Sequence, residues 1–340
     1  MSRILNPTTQ DQEEQVIERS LRPQNFSEMI GRIREKQILQ IMIDGARTRG
    51  EPIDHVIFHG PPGLGKTSFA HVIAAEMGAH LHVTSGPAIE RAGDLASILT
   101  GIQEGEILFI DEIHRLHKVV EEILYPAMED FVLDIMLGKG AGAKSVRIDL
   151  PKFTILGATT RIGSVSAPLR DRFGTAIRLD FYSTEELQEI VLQKAKILNF
   201  EITKDAAFEI AKRSRGTARI AVRILKRVRD LADARNVKLD NSKSSLNLVQ
   251  ECTQMLGIDS FGLDDMDRKI LNCIISDYNS GPVGISTISA SLSEEIETLE
   301  DVYEPYLIQL GFLQKTPKGR VATSKAIEYS DKVLENQDIY

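Results

Sequence analysis

The chain has 340 residues, of which 42% are hydrophobic and 26% are charged, a composition typical of soluble globular proteins with roughly two or three domains. The net charge of −8 argues against indiscriminate nucleic-acid binding by the whole surface, and residues 256–340, with 7 basic and 15 acidic side chains, account for the excess. Two cysteines exclude a disulfide framework and a four-thiolate zinc site, and the lack of a membrane-spanning run or signal-peptide core predicts a cytoplasmic protein.

The first strong signal is the glycine-rich segment Gly60–Thr67, with the sequence GPPGLGKT, which lies between an apolar run and a helical pattern. Strand, glycine loop and helix are the context in which this pattern is a phosphate-binding loop rather than an ordinary turn. The glycines, including Gly63 and Gly65, allow backbone N–H groups to surround a phosphate. Lys66 would reach the β- and γ-phosphates of ATP, and the hydroxyl of Thr67 would bind Mg²⁺.

The second signal is an apolar run at 107–110 that is followed directly by Asp111 and Glu112. Such a run predicts a parallel strand buried on both faces, and open α/β sheets build their sites where these strands end. Asp111 would hold Mg²⁺, and Glu112 would act as the general base toward the attacking water. The alternative is a pair of solvated acids, but the phosphate loop upstream favours catalysis.

Residues 131–150 predict a β-hairpin, because two apolar strand patterns flank the glycine-rich stretch 138–142. Its apolar content is high for an element that projects from a domain. The hairpin is either an ordinary edge of the sheet or a docking surface for a partner. The residues alone leave both interpretations open.

The next strand pattern ends at Thr159, which either senses the γ-phosphate by hydrogen bonding or caps the following turn. Two arginines, Arg170 and Arg172, follow in the segment APLRDRF. Each is either a plain surface charge or an arginine inserted into the nucleotide site of a neighbouring subunit. The residues alone favour the surface charge.

From Ser183 onward the pattern predicts helices only, and Ser183 with Glu186 forms a capping box at the start of the first one. Arg219, near the start of the third helix, would point back at the nucleotide. After residue 255, three helical patterns and a hairpin predict a winged helix. The predicted domains are a large ATPase domain at 1–182, a small helical domain at 183–255 and a winged-helix head at 256–340.

The third helix of the predicted winged helix is strongly acidic, whereas the hairpin carries Lys315, Lys318 and Arg320 and no acid. Phosphate would repel such a helix, so the hairpin, or wing, is predicted to contact DNA. Contacts of this kind position a duplex without reading its sequence. The alternative is a winged helix that binds protein.

Six segments resemble, in order, the RuvB family of AAA+ motor proteins, the ATPases of Holliday-junction branch migration: GPPGLGKT, LFIDEIHRL, GATTR, APLRDRFG, GTARIA and GFLQKTPKGR. The resemblance extends over about 21–323. It implies an α/β fold, namely an AAA+ P-loop ATPase domain with a parallel sheet, a small helical domain and a C-terminal winged helix. It also implies a homohexameric ring that hydrolyses ATP on double-stranded DNA and, with the RuvA tetramer, moves four-way junctions in recombination and repair, within a larger complex that includes the RuvC resolvase.

The resemblance also implies roles for particular residues. Arg172 becomes an arginine finger supplied to the adjacent subunit, the 131–150 hairpin becomes the element that docks onto RuvA, and Lys315 and Arg320 match DNA contacts. Ser68 and Lys315 depart from the threonine and arginine expected there, and the lysine loses the planar fork that grips phosphate. Positions that match nucleotide contacts are Leu21, Arg22, Gly63, Lys66, Thr67, Ser68, Glu129, Asp130, Phe131, Tyr182 and Arg219.

Two other classes compete with this interpretation. One is a clamp-loader or origin-loading AAA+ switch, although the Ser-Arg-Cys motif of clamp loaders is replaced by LRDRF in this sequence. The other is a protein-remodelling ring, which predicts an aromatic pore loop and has no use for Lys315 and Arg320. In the motor interpretation, hydrolysis changes the angle between the large and small domains through Arg219, and the movement reaches the wing.

Overall fold

The computed structural model describes residues 21–137, 144–237 and 242–337. Its described residues form two compact units. The first contains the chain up to Gly60 together with Gly65–Asp180, and the second contains Pro61–Leu64 and Phe181–Tyr340. The division after Asp180 lies close to the predicted boundary at residue 182, whereas the further boundary at 255 stays a prediction. Within the described part of the chain, every helix is too short or too polar to cross a membrane.

The first unit is a parallel sheet with helices and a separate hairpin. Its α-helices are α1 (Ile33–Arg49), α2 (Lys66–Met77), α3 (Ala92–Gly101), α4 (Lys118–Glu129) and α5 (Ala167–Arg170). Its strands are β1 (Val56–His59), β2 (Leu81–Ser85), β3 (Ile107–Asp111), β4 (Val132–Leu137), β5 (Lys144–Asp149), β6 (Thr154–Thr159) and β7 (Thr175–Arg178). Helix α3 and strand β7 were not predicted from the sequence.

Five strands form the main sheet in the order β2-β3-β6-β1-β7, and every neighbouring pair is parallel. Strand β6 is buried along its whole length, and β3 is buried up to the residue before Asp111. The continuous apolar run in β3 follows from this burial, since both faces of the strand are covered. The predicted α/β fold with a parallel sheet is therefore confirmed.

Strands β4 and β5 pair antiparallel, from Val132 opposite Asp149 to Leu137 opposite Lys144, and form a sheet of their own. The predicted hairpin at 131–150 is thus confirmed as a separate element rather than an edge of the main sheet. The glycine-rich turn predicted at 138–142 lies outside the described residues.

The second unit begins with four helices and continues into a winged helix. The first four are α6 (Thr184–Ile197), α7 (Lys204–Lys212), α8 (Ala218–Arg235) and α9 (Ser242–Met255). The winged helix contains α10 (Asp265–Asn272), α11 (Ile285–Leu292), α12 (Ile296–Thr298), α13 (Glu304–Gln309), β8 (Leu313–Thr316), β9 (Gly319–Ala322) and α14 (Ser324–Gln337). One π-helical turn, Leu299–Tyr303, joins α12 to α13 as a continuous third helix. The predicted winged helix is confirmed, while α14 was not predicted.

Candidate active site

The carboxyl ends of three central strands carry the predicted catalytic residues. Strand β1 leads into the glycine loop, its neighbour β6 ends at Thr159, and β3, beyond β6, ends at Asp111. His59 at the end of β1 lies in register with Thr159. Because adjacent strands are about 5 Å apart, the loop and Asp111 begin about 10 Å from each other on the same edge. The structure therefore brings these residues together at the carboxyl edge of the sheet.

The glycine loop passes into α2, whose first helical residue is Lys66 and whose N-cap is Gly65. The first turn of α2 contains no acidic side chain. A helix N-terminus of this kind attracts anions, because its first N–H groups point along the axis with a partial positive charge. The ammonium of Lys66 is nearly buried and donates a hydrogen bond to the carbonyl of Gly60 at 2.8 Å. Lys66 is thus folded over the loop that would hold a phosphate.

The loop geometry requires glycine at Gly60. Its φ of +141° is rarely adopted by residues with a side chain, and a Cβ there would lie 2.3 Å from the carbonyl oxygen of Leu179. Any side chain at this position would displace the start of the loop relative to the end of β7. The tight approach therefore explains one glycine of the motif by sterics rather than by phosphate binding.

Asp111 and Glu112 follow the sheet in an unusual backbone conformation. Glu112 has a φ of +51° in the left-handed region, which non-glycine residues rarely adopt, and its N–H donates to the Asp111 carboxylate at 2.9 Å. Such strain is concentrated at functional sites, where the surrounding structure holds it. The Glu112 carboxylate is 3.9 Å from the ring of His114 and 4.0 Å from the guanidinium of Arg115.

Thr159 is buried and its hydroxyl is engaged with protein groups. The oxygen accepts the N–H of Arg161 at 2.9 Å, which is the turn-capping alternative, and lies 2.9 Å from Nδ1 of His114. His114 therefore lies between Thr159 and Glu112, the predicted sensor and the predicted base. Sequence reasoning missed this histidine, although its place in the segment DEIHRL, two residues after Glu112, was an available signal.

Other predicted nucleotide contacts surround helix α2. Leu21 is buried, and the guanidinium of Arg22 lies 2.8 Å from the ring nitrogen of His71 on α2. Thr67 and Ser68 occupy the first turn of the same helix and are partly buried. The structure therefore brings Arg22, Thr67 and Ser68 to the helix that follows the glycine loop, with the buried Leu21 next to Arg22 in the chain.

Two further predicted contacts meet the loop segment 61–64, which belongs to the second unit. The hydroxyl of Tyr182 donates to the carbonyl of Leu64 at 3.3 Å, and the N–H of Arg219 donates to the carbonyl of Gly63 at 3.4 Å. Gly63 has a φ of +80°, and a Cβ there would lie 3.0 Å from Cβ of Arg219. The structure thus brings Tyr182 and Arg219 to the glycine loop, and their contact with the nucleotide stays a prediction.

Arg172 lies at the opposite, amino edge of the same sheet. It lies three residues before Thr175, the first residue of β7, and the N–H of Thr175 donates to the carbonyl of His55, immediately before β1. The Arg172 guanidinium donates to the Glu129 carboxylate at 3.0 Å and to the carbonyl of Pro168 at 2.7 Å, and it lies 4.4 Å from the centre of the Tyr125 ring. Strand β1 spans about 13 Å between the two edges, so Arg172 and its own glycine loop lie at opposite ends of the strands.

Glu129, Asp130 and Phe131 occupy this amino edge as well. Glu129 ends α4, and the ring of Phe131 packs at 5.9 Å from Phe153, immediately before β6, and at 6.5 Å from His55. The structure therefore separates these three predicted nucleotide contacts from the carboxyl edge and places them with Arg172.

The basic residues of the wing differ in their surroundings. Lys318 is exposed in the turn between β8 and β9, and Lys315 is half-exposed, with its ammonium 3.3 Å from Glu300 of the third helix. Arg320 is buried and binds both oxygens of Glu304, with a further contact to Glu300 at 2.8 Å. The acids of the third helix thus pair with two of the three wing cations, Lys315 and Arg320, and the contact of the wing with DNA stays a prediction.

A glycine loop that leads into a helix N-terminus, two carboxylates at the end of a nearby strand of the same sheet and a helical domain whose Arg219 backbone N–H donates to the loop define an AAA+ P-loop ATPase. The chain matches the family model for the RuvB P-loop domain over residues 21–179, the RuvB AAA lid domain over 182–259 and the RuvB C-terminal winged-helix domain over 260–331. The chain belongs to the RuvB family, described as Holliday junction DNA helicases.

Individual relatives agree over nearly the full length. The Holliday junction branch migration complex subunit RuvB of Clostridium kluyveri is 53% identical over 326 residues, which cover 95% of this chain and 91% of the relative. RuvB of Chloroflexus aggregans is 54% identical over 327 residues, with coverage of 96% and 92%. The structure of the Thermotoga maritima RuvB Holliday junction branch migration motor superposes with a TM-score of 0.83 at 48% identity, covering 91% of this chain and 98% of that chain.

A more distant likeness shows the fold alone. The ORC2 protein of Aeropyrum pernix superposes with a TM-score of 0.53 at 16% identity, covering 95% of this chain and 98% of that chain. The architecture is thus shared with a protein outside the RuvB family, so the assignment to this family depends on the identities above rather than on the fold.

Proposed function

We propose that this protein is an ATP-driven motor that moves the branch point of Holliday junctions. One observation carries the proposal: in a chain of the RuvB family, the catalytic carboxylates lie at one edge of the sheet and the candidate arginine finger lies at the other. Such a chain completes a nucleotide site only with a neighbour. A ring of identical subunits, a homohexamer as in the resemblance above, satisfies this requirement all the way round.

The carboxyl edge would hold ATP and Mg²⁺. The N-terminus of α2 and Lys66 suit the phosphates, and the Thr67 hydroxyl and the Asp111 carboxylate are the hard oxygen ligands that Mg²⁺ prefers. When bound, Mg²⁺ would neutralise charge that develops on the phosphate oxygens. Glu112 would accept the proton of the attacking water, and Thr159, held by His114, would orient that edge of the site. Leu21, Arg22, Gly63, Gly65 and Ser68 would complete the pocket.

The amino edge would serve the neighbouring subunit. Arg172 would stabilise charge on the γ-phosphate bound by the next subunit, and Glu129, Asp130 and Phe131 would contact the same nucleotide. This assignment would reconcile the nucleotide contacts that the resemblance implies for these residues with their position away from their own glycine loop. On the other side of the loop, Tyr182 and Arg219 would report the nucleotide state to the helical domain.

The winged helix would contact the DNA backbone, with Lys318 and Lys315 as the accessible cations. Arg320 is enclosed by Glu304 and Glu300, so in this conformation it fixes the wing to the third helix rather than facing a phosphate. A paired substitution separates these roles. Lys318→Ala should lower the salt slope of duplex binding by about one charge, equally for all sequences. Arg320→Ala should instead lower the melting temperature, because the buried Glu304 would lose its bidentate partner and keep only the more distant ammonium of Lys315, at 3.8 Å.

The hairpin β4–β5 would dock onto the RuvA tetramer, since it stands as a sheet of its own and exposes the apolar side chain of Val146. Both relatives named above are subunits of a branch migration complex, which supports a partner of this kind. The RuvC resolvase in a larger assembly, and action in the cytoplasm, belong to the same proposal.

The decisive experiment measures ATP hydrolysis and the movement of a synthetic four-way junction, with and without RuvA. We expect duplex DNA to stimulate hydrolysis and RuvA to stimulate junction movement. Stimulation by unfolded protein instead of DNA would indicate a protein-remodelling ring. ATP binding that loads the protein on DNA without repeated turnover would indicate a clamp-loader or origin-loading switch.

A further inference from the structure

Arg215 occupies a short connection between α7 and α8, four residues before Arg219. Its backbone has a φ of +51°, in the left-handed region, and its side chain is only 7% exposed. Helix α8 begins three residues later at Ala218, so Arg215 belongs to the same segment that brings Arg219 to the glycine loop. The side chain of Arg215 points toward the winged helix, where its hydrogen-bond partners and the two stacked tyrosine rings lie.

The Arg215 guanidinium is held on several sides. It makes a bidentate ion pair with Asp267 of α10, with Nη1 to Oδ2 at 2.8 Å and Nη2 to Oδ1 at 3.1 Å. It also donates to the carbonyl of Val302 at 3.3 Å, and it lies 5.0 Å from the ring centre of Tyr306 and 5.6 Å from that of Tyr303. A planar guanidinium suits this arrangement, since it can bind a carboxylate in its plane and stack on aromatic rings above and below.

Asp267 joins this contact to the first helix of the winged helix. Its side chain is 0% exposed, and it also accepts the N–H of Asp264 at 3.0 Å as part of the capping box that starts α10. Burial raises the pKa of Asp267 to about 7, although the neighbouring Arg215 lowers it. A buried pair of this kind fixes one geometry, because either partner alone would be an uncompensated charge in the interior.

The surroundings of the pair are only partly filled. A cavity of about 400 Å³ lies between the four-helix part and the winged helix, and its lining includes Leu187, Phe261 and Leu310. Phe181 and Tyr306 approach each other across the same junction with ring centres 6.5 Å apart. Packing alone therefore leaves space at this junction, and the Arg215–Asp267 pair supplies a directional connection.

We propose that Arg215 is a positioning residue of the motor. Its contacts with Asp267, Tyr303 and Tyr306, called here the Arg215 clamp, hold the winged helix to the segment that carries Arg219, so that both turn as one body. This inference rests on the proposed function, since it concerns how a nucleotide-driven movement reaches DNA. It assigns to the pair a mechanical role that no contact with ATP or DNA would reveal. Without the Arg215–Asp267 pair, ATP hydrolysis would continue, but the wing would no longer follow the movement of the segment that carries Arg219.

The test compares Arg215→Lys and Asp267→Asn with the control Arg213→Lys. Arg213 is also nearly buried and close in sequence, but its ion pair with Glu209 stays within the four-helix part. The measured quantity is the number of junctions moved per ATP hydrolysed. We expect a loss of about tenfold or more in both clamp variants, with DNA-stimulated hydrolysis nearly unchanged, because lysine keeps the charge but cannot bind bidentately. The control should retain the wild-type ratio.

A second measurement follows the clamp without ATP or DNA. Spin labels at Glu189→Cys and Glu328→Cys, both exposed positions, report the distance between the four-helix part and the winged helix, and the native Cys252 and Cys273 are buried. The distribution of distances between the two labels should be narrow in the otherwise wild-type protein. It should broaden in Arg215→Lys but not in Arg213→Lys.

Three outcomes would contradict part of this picture, and they are distinct. Unchanged distances together with an unchanged ratio would overturn the clamp. Hydrolysis and junction movement that fall in equal proportion would show that the pair only stabilises the fold. Wild-type protein that hydrolyses ATP but never moves a junction with RuvA would instead overturn the proposed function, while the distance measurement would still test the clamp.

Discussion

The two edges of the five-stranded sheet carry different halves of one proposed reaction. At the carboxyl edge, the glycine loop, Asp111 and Glu112 form a site that suits the phosphates and the attacking water. At the amino edge, Arg172 is paired with Glu129 and stacked on Tyr125. In the proposed reaction, one chain therefore contains all the required groups but cannot bring them to one point, because the length of β1 separates them.

Removing Arg172 should have the largest effect on this comparison. Arg172→Ala should bind ATP normally but lose about 10³-fold or more in hydrolysis, since arginine fingers contribute on this scale in related enzymes. Mixing it with Lys66→Ala subunits should restore part of the activity, because some junctions between subunits then contain one intact carboxyl edge and one intact amino edge. Arg170→Ala, at an exposed position two residues earlier at the end of helix α5, is the control. Mixed rings without recovery would argue that Arg172 acts within its own chain or not at all.

Glu112→Gln should have the next largest effect, from the other edge. Loss of the general base should slow hydrolysis by about 10² to 10⁴-fold while ATP binding and ring assembly persist. Glu104→Gln provides a matched control, because Glu104 is exposed and precedes the amino end of the same strand β3. Single-turnover hydrolysis with both variants checks the expectation, and equal rates for the two would remove Glu112 from the mechanism.

A smaller effect is expected from pH at the amino edge. His55 accepts the N–H of Ile155 at Nδ1 and contacts the carbonyl of Met128 at Nε2, and burial lowers its pKa below 6.5. Its contribution to stability is therefore complete above pH 6.5, where both states are neutral, and is lost as the pH falls, because the unfolded chain takes up the proton first.

Unfolding experiments between pH 7 and pH 5 check this sign. The free energy of unfolding of the wild type should fall relative to that of His55→Gln over that interval, because the imidazole of the unfolded chain binds protons while the folded one stays neutral. The exposed His117→Gln serves as the control and should follow the wild type. If the free energy of unfolding of the wild type relative to His55→Gln instead fell as the pH rose, the assignment of a neutral, buried imidazole would be contradicted.

The smallest effect should come from the ion pair that holds Arg172. Glu129 is 55% exposed at its side chain, so the pair contributes at most about 1 kcal/mol. Glu129→Gln should therefore leave the melting temperature nearly unchanged. If Glu129 also contacts the neighbour's nucleotide, the apparent affinity of the ring for ATP should fall by about fivefold or less. A large loss of stability would instead identify Glu129 as a structural residue of the amino edge.

The sequence predicted the carboxyl edge well, and a physical reason explains this. Glycines with special φ values, a lysine at a helix start and acids after an apolar strand are local patterns, and parallel strands place their ends on one edge. Lys66, Asp111 and Thr159 could therefore be brought together without coordinates. The sequence leaves two roles open for the hydroxyl of Thr159, as a γ-phosphate sensor or as a turn cap. The structure adds its contacts with His114 and Arg161.

Other features could not be predicted because they depend on contacts between distant parts of the chain. The wing was expected to present Arg320, but composition does not show that Glu304, 16 residues away, reaches back to pair with it. The position of Arg172 depends on the direction in which β7 enters the sheet, and β7 itself lacked a clear pattern. The Arg215–Asp267 pair joins positions 52 residues apart, which no spacing rule could have indicated.

The separation of the two edges of the sheet also affects how much ATP unassembled chains would consume in the cell. An unassembled chain would bind ATP but would lack the arginine finger of a neighbour, so free subunits would hydrolyse almost no ATP. Turnover per chain should then rise steeply with protein concentration and level off once assembly is complete. The length of strand β1 would thus restrict ATP hydrolysis to assembled rings.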